Sequence, residues 1–152
     1  MTPRNNGDTA SPVLLLERTF DAPPERIFAA WTEPSLLMQW WGPPGSVVKV
    51  AEVDLRVGGR YRLGIQFDAQ PTYYVTGEYS SIESPHRLVF TWRWENADMD
   101  VGVSLVTIEL QRKGQKTALR LKHEQLPDEE ARRSHTEGWT GILQELQEFL
   151  TR

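Results

Sequence analysis

The period of the apolar positions along the chain changes twice, from mostly helical to strictly alternating and back to helical. In the first stretch, Val13 to Phe20 is an apolar run that turns amphipathic, which predicts a strand. Asp21-Ala22-Pro23-Pro24 breaks it, and proline is tolerated in the first turn of a helix. Glu25 to Trp31 then reads as a short helix with Ile27, Phe28 and Trp31 on one face. Pro34 opens a second short helix whose apolar side is Leu37, Trp40 and Trp41, and Gly42-Pro43-Pro44-Gly45 stops it.

From Val47 the period becomes two. Val47 to Val57 predicts one or two strand segments ending at the Gly58-Gly59 turn. Arg60 to Phe67 sets Tyr61, Leu63, Ile65 and Phe67 against Arg60, Arg62, Gly64 and Gln66. Tyr73 to Glu83 puts Tyr73, Val75, Gly77 and Tyr79 on one face, and Ser84-Pro85 turns the chain. His86 to Glu95 points Leu88, Phe90, Trp92 and Trp94 inward. After a polar loop, Val101 to Arg112 aligns Ser104, Val106, Ile108 and Leu110. Lys113-Gly114-Gln115-Lys116 is a hairpin loop, and Thr117 to Glu124 turns Leu119, Leu121 and His123 inward. Consecutive strands on short loops form an antiparallel sheet, here with one apolar and one polar face.

The helical period returns after Pro127-Asp128-Glu129-Glu130, where the acids suit a helix start. Trp139, Ile142, Leu143, Leu146, Phe149 and Leu150 make one broad stripe on a helix that runs to about Leu150. The predicted class is α+β: a curved antiparallel sheet of about six to seven strands, two short helices after the first strand, and one long C-terminal helix. Only that helix is long enough to cover the apolar face of the sheet. Met1–Pro12 is expected to be a disordered tail and residues 13–152 one folded domain.

Composition narrows the functions. With 152 residues and no cysteine, the chain can bury a core without disulfides and has no thiolate chemistry. The start carries no basic-then-apolar leader, and no apolar stretch approaches the ~20 residues of a membrane helix. A cytoplasmic setting without membrane insertion is therefore expected. The net charge is −4 and the basic residues are scattered, so nucleic acid is not an expected partner. Nucleophile-elbow, zinc-protease, phosphate-loop and dinucleotide signatures are absent, and no metal or cofactor is implied. His86 follows a turn and His135 falls on the polar part of the last helix. Neither is expected to meet His123, so no three-histidine metal site is predicted.

His123 is inward by parity beside Leu119 and Leu121. It is the single candidate for general-base chemistry, and a satisfied core histidine is the plainer reading. The six tryptophans call for an explanation. Trp40-Trp41 at a helix end can cap the core or wall a pocket mouth. Trp31, Tyr61, Leu63, Tyr79, Phe90, Trp92, Trp94 and Trp139 gather large side chains on one concave side. Val106, Ile108, Leu121, Leu143 and Leu146 complete the apolar wall. Each can simply pack, but a curved sheet under one helix often leaves an apolar cleft. The Tyr61 and Tyr79 hydroxyls, Ser104 and His123 are its candidate polar groups.

Four stretches resemble a known group. They are Phe20-Asp21-Ala22-Pro23-Pro24-Glu25-Arg26-Ile27-Phe28-Ala29-Ala30-Trp31, Gln39-Trp40-Trp41-Gly42-Pro43, Asp54-Leu55-Arg56-Val57-Gly58-Gly59-Arg60-Tyr61, and Glu137-Gly138-Trp139 followed by Leu143 and Leu146. Gly77-Glu78-Tyr79 and Leu88-Val89-Phe90-Thr91-Trp92 fit the same pattern. Together they resemble the START-like superfamily, within it the proteins named for the activator of heat-shock protein 90 ATPase. The resemblance implies a helix-grip fold, with a ligand cavity between sheet and helix, and a link to stress response. Its members include co-chaperone domains, polyketide cyclases, lipid carriers and self-sacrificing resistance proteins. The eukaryotic co-chaperones carry an additional N-terminal domain, for which this chain has no counterpart.

Three functions follow as expectations. The leading one is binding of a small apolar or aromatic molecule in the cavity. The others are a partner-binding module such as a chaperone ATPase regulator, and a cyclase or hydrolase for an aromatic or polyketide-like compound that would rely on His123.

Overall fold

The computed structural model describes residues 12–152, so all of the expected tail but Pro12 lies outside the described residues. The elements are β1 (Leu14–Phe20), α1 (Pro24–Thr32), α2 (Pro34–Trp40), β2 (Ser46–Val53), β3 (Arg60–Phe67), β4 (Tyr73–Glu83), β5 (Arg87–Trp94), β6 (Ser104–Lys113), β7 (Lys116–Glu124) and α3 (Glu129–Leu150). The seven strands form one antiparallel sheet in the order β1-β7-β6-β5-β4-β3-β2. The helices between β1 and β2 carry the chain from one sheet edge to the other. This is the helix-grip α+β architecture.

Two boundaries differ from expectation. Strand β2 ends at Val53, because residues 54–59 fold into a tight loop that bonds across to β4. In that loop Gly58 N donates to Tyr79 O at 2.8 Å, and Tyr79 N donates to Gly59 O at 2.9 Å. Strand β6 begins at Ser104 rather than Val101. Gly102 has φ +85° and its N–H caps the Asp100 carboxylate at 2.9 Å, which bends the chain out of the ladder.

The period-two faces fall as the alternation requires. Leu88, Phe90, Trp92 and Trp94 of β5 are all buried, as are Leu119, Leu121 and His123 of β7. The polar face is laced by arginine–carboxylate pairs. Arg62 binds Glu95 through two bonds of 3.0 and 2.9 Å, and Arg93 binds Asp100 at 3.1 and 2.9 Å. Asp54 and Arg56 pair at 2.9 Å in solvent, an arrangement that contributes only ~0–1 kcal/mol.

Helix α3 starts where Asp128 accepts a bond from Ala131 N at 2.8 Å. Its stripe of Trp139, Ile142, Leu143, Leu146, Phe149 and Leu150 is buried against the sheet. Arg26 of α1 donates to Leu150 O at 2.8 Å, closing the C-terminal end of α3. Trp40 Nε1 donates to Ala30 O at 3.0 Å, fastening α2 to α1.

One glycine holds the sheet centre open. Gly77 of β4 lies opposite Tyr61 of β3, whose hydroxyl reaches over to donate to Thr91 O at 2.6 Å. A Cβ at Gly77 would stand 2.6 Å from the Tyr61 ring and would collide with the Thr91 carbonyl oxygen. Gly77→Ala is therefore expected to cost roughly 2–3 kcal/mol by overpacking, measured by urea unfolding.

Candidate functional site

Trp139 sits mid-helix on the buried stripe of α3, and its indole must find an acceptor in an apolar interior. It finds His123: Trp139 Nε1 donates to His123 Nδ1 at 3.0 Å. An indole N–H can only donate, so Nδ1 accepts and the neutral ring carries its proton on Nε2. That proton goes to Ser104 Oγ at 2.7 Å, and Ser104 donates in turn to Trp92 O at 3.3 Å. This chain of bonds runs from α3 through β7 and β6 to β5, and every polar atom along it is satisfied.

His123 is 0% exposed, and burial pushes its pKa down to about 3, with His135 adding to the effect. A proton on Nδ1 would face the donating Trp139 N–H, so the bonding pattern opposes protonation for the same reason. Both ring nitrogens are occupied, and neither has a lone pair turned toward a substrate. The general-base role for His123 thus finds no support in the geometry.

His135 corrects an expectation. The Nδ1 of His135 lies 2.8 Å from Ala131 O one turn back, and its Nε2 accepts from Trp94 Nε1 at 3.3 Å. Its ring centroid is 5.1 Å from that of His123. The helix is rotated further into the sheet than the charge pattern suggests, so His135 meets the core instead of water. Its pKa is lowered by burial as well. No cluster of three metal-ligating side chains occurs among the described residues.

Two spaces flank this core. The outer one is a cleft of about 470 Å³ between the open ends of β3, β4 and β5 and the N-terminal half of α3. Its walls are Trp41, Phe67, Tyr73, Trp92, Trp94 and Trp139 with Ile65, Met99, Ile142 and Pro43; Gln70, Ser134 and His135 supply the polar groups. The inner one is a cavity of about 20 Å³, bounded by Trp31, Leu37, Trp41, Val53, Tyr61, Leu63, Tyr79, Leu88, Phe90 and Trp92. Trp41 and Trp92, with ring centroids 6.0 Å apart, stand in both walls.

The candidate residues therefore divide. Trp92, Trp94 and Trp139 face the cleft, while Trp31, Tyr61, Leu63, Tyr79, Phe90 and Trp92 face the inner cavity. Ser104, Val106, Ile108, Leu121, His123, Leu143 and Leu146 border neither space and fill the core between them. Trp40 is held by Ala30 behind α2 and also borders neither. The Tyr61 hydroxyl is taken by Thr91 O, and burial raises its pKa well above the ordinary phenol range.

Several cleft residues escaped the sequence reading: Ile65, Phe67, Tyr73, Met99, Ser134, His135, Gly138 and Ile142. A usable signal was present on α3. Ser134, Gly138 and Ile142 recur at intervals of four and so share a helix face, two of them small.

Comparison with known proteins agrees with this architecture. The family model described as activator of Hsp90 ATPase homolog 1-like protein matches residues 21–151. A crystal structure of the AHSA1 protein from Silicibacter pomeroyi is 32% identical, with a TM-score of 0.82 over 92% of this chain and 98% of that one. A protein from Chromobacterium violaceum is 30% identical, with a TM-score of 0.80 over 90% and 96%. CalU16 from Micromonospora echinospora is 24% identical with a TM-score of 0.71 over 97% and 81%, a likeness of fold. Among curated proteins none matches the chain.

The buried histidine makes stability depend on pH in a defined window. Above pH 6.5 the ring is neutral in both the folded and the unfolded chain, and pH has no effect through it. Between 6.5 and about 3 the unfolded chain takes up a proton that the folded one refuses, so stability falls as pH falls. The expected loss from pH 7 to pH 5 is roughly 2 kcal/mol. Urea unfolding at the two pH values measures it. His123→Gln should be less stable at pH 7 and show a flatter change over the same interval.

Proposed function

The chain belongs to the activator of Hsp90 ATPase homolog 1-like family, and from that premise we propose that it binds a small, uncharged aromatic or otherwise apolar molecule in the cleft between β3–β5 and α3. The observation that carries this reading is the cleft itself. It has about 470 Å³ of space, enough for a molecule of two or three fused rings, and six aromatic side chains in its wall. No formal charge lines it. His135 is held as a neutral acceptor for Trp94, so an ionic ligand would find no counter-charge there. Residues 13–152 act as one binding domain in this reading. Among the described residues no helix is long and apolar enough to cross a membrane, and the proposed setting is the cytoplasm.

A helix residue supports the same conclusion. Glycine within a helix costs about 1 kcal/mol relative to alanine. Gly141 has a packing reason, since a Cβ there would come 2.7 Å from Pro44. Gly138 has none: a Cβ would meet nothing within 4 Å, and the position faces the cleft. Its missing side chain keeps space where a larger residue would fill it. Gly138→Leu is therefore expected to leave the protein as stable as before or up to about 1 kcal/mol more stable. The same change should weaken binding of an uncharged naphthalene probe at least about tenfold, since it fills the site. Tryptophan fluorescence titration measures the binding. Unchanged affinity in that variant would remove the cleft as the site.

A second reading keeps the partner-binding module. Leu55 and Val57 are 43% and 64% exposed on the loop between β2 and β3, next to Gly58-Gly59. The family takes its name from an activator of Hsp90 ATPase, and an apolar loop tip suits a protein contact. On this reading the protein raises the ATPase rate of an Hsp90, and the double variant Leu55→Asp, Val57→Asp abolishes the increase. No increase with the unaltered protein would dismiss it.

A further inference from the structure

Most of the buried indoles have an acceptor: Trp40 has Ala30 O, Trp94 has His135, and Trp139 has His123. Trp31 Nε1 and Trp92 Nε1 have no hydrogen-bond partner among the protein atoms, although their side chains are 5% and 2% exposed. An unmet buried N–H is costly and calls for a reason. Both tryptophans border the inner cavity, whose volume of about 20 Å³ is that of one oxygen-sized group on a scale where a water takes roughly 10–15 Å³.

The chemistry of that group follows from its surroundings. Indoles only donate, so the group must accept. The Tyr61 hydroxyl in the same wall is already committed to Thr91 O. The remaining walls include Leu37, Val53, Leu63 and Phe90, which stabilise no charge. Burial raises the pKa of both Tyr61 and Tyr79, so the cavity disfavours an anion there. A neutral carbonyl oxygen fits these conditions and a carboxylate does not.

Only the rings of Trp41 and Trp92 are common to this cavity and the cleft. We propose that the inner cavity is an acceptor subsite of the cleft, and that the ligand is an aromatic ketone or similar carbonyl compound. Its rings lie in the cleft, and its oxygen passes between Trp41 and Trp92 to accept from the indole N–H groups of Trp92 and Trp31. This rests on the cleft being the binding site and adds the class of ligand that it takes.

A matched pair of probes tests it: 2-acetylnaphthalene, and 2-isopropenylnaphthalene, in which a CH₂ group replaces the carbonyl oxygen. The ketone is expected to bind at least about tenfold more tightly, the ratio that one buried hydrogen bond supports. In a ¹⁵N-labelled sample it alone should move the Trp31 and Trp92 indole signals downfield. The preference should vanish in Trp92→Phe, or in Trp31→Phe if the former does not fold; the probe comparison on the unaltered protein needs no variant. Equal affinities with both indole signals unmoved overturn the subsite and leave the cleft reading standing. Persistent magnetisation transfer from a bound water to both indoles in the ketone complex also overturns it, by assigning the cavity to that water. Failure of both probes to bind overturns the cleft reading and the subsite with it.

Discussion

A buried indole in the middle of a helix can satisfy its N–H only through a side chain brought to it from elsewhere in the fold. Trp139 imposes that condition on the whole structure. Its acceptor is His123 on β7, and His123 in turn needs Ser104 on β6, which needs a carbonyl on β5. Hydrophobic burial alone would let α3 slide or roll over the apolar face, because it has little directionality. The polar chain does not, since a shift of an ångström would strand buried polar atoms at a cost of about 1–3 kcal/mol each. The depth and rotation of α3 are thus set by four side chains, and the position of the cleft follows from them. His135, one turn before Trp139, comes to the Trp94 indole, while Gly138 and Ile142 come to the cleft wall.

The strands could be read from the chain because their signal is local. A period of two assigns each residue to a face without reference to anything distant, and the inward sets of β5 and β7 are buried as that parity requires. The stripe on α3 was legible for the same reason. What could not be read was how far α3 turns into the sheet. His135 has polar neighbours in Ser134 and Thr136, so its own segment describes it as outward-facing. Its burial comes from Trp92 and Trp94, forty residues away in sequence, whose rings meet it only after the sheet has curled.

The division of inward residues into packing and lining has a similar origin. Along β5, Leu88, Phe90, Trp92 and Trp94 are equivalent by alternation, yet they meet different surroundings. Leu88 and Phe90 face the inner cavity, Trp92 faces both spaces and Trp94 faces the cleft alone. This gradient reflects where α3 crosses the sheet and where α2 ends. Trp41, just past the end of α2, is placed by the crossing from β1 to β2, so its role as the shared wall depends on tertiary geometry that no local pattern encodes. Strands β6 and β7 lie directly under α3, and their inward residues have no space left to line.

The interior thus has two zones with opposite demands. Under α3 the polar groups are matched to one another, with donor and acceptor roles fixed down to the histidine tautomer. Toward α2 the matching stops: two indoles lack acceptors and the packing leaves room. Selection for stability alone would be expected to fill such room, because core cavities and unmet N–H groups each cost on the order of a kcal/mol. Gly138 adds a third unrecovered cost on the opposite wall. Local departures of this kind concentrate where a fold serves a ligand. Here all three border one continuous region bounded by Trp41 and Trp92, whereas the fully satisfied network lies beside it and holds the helix that forms its roof.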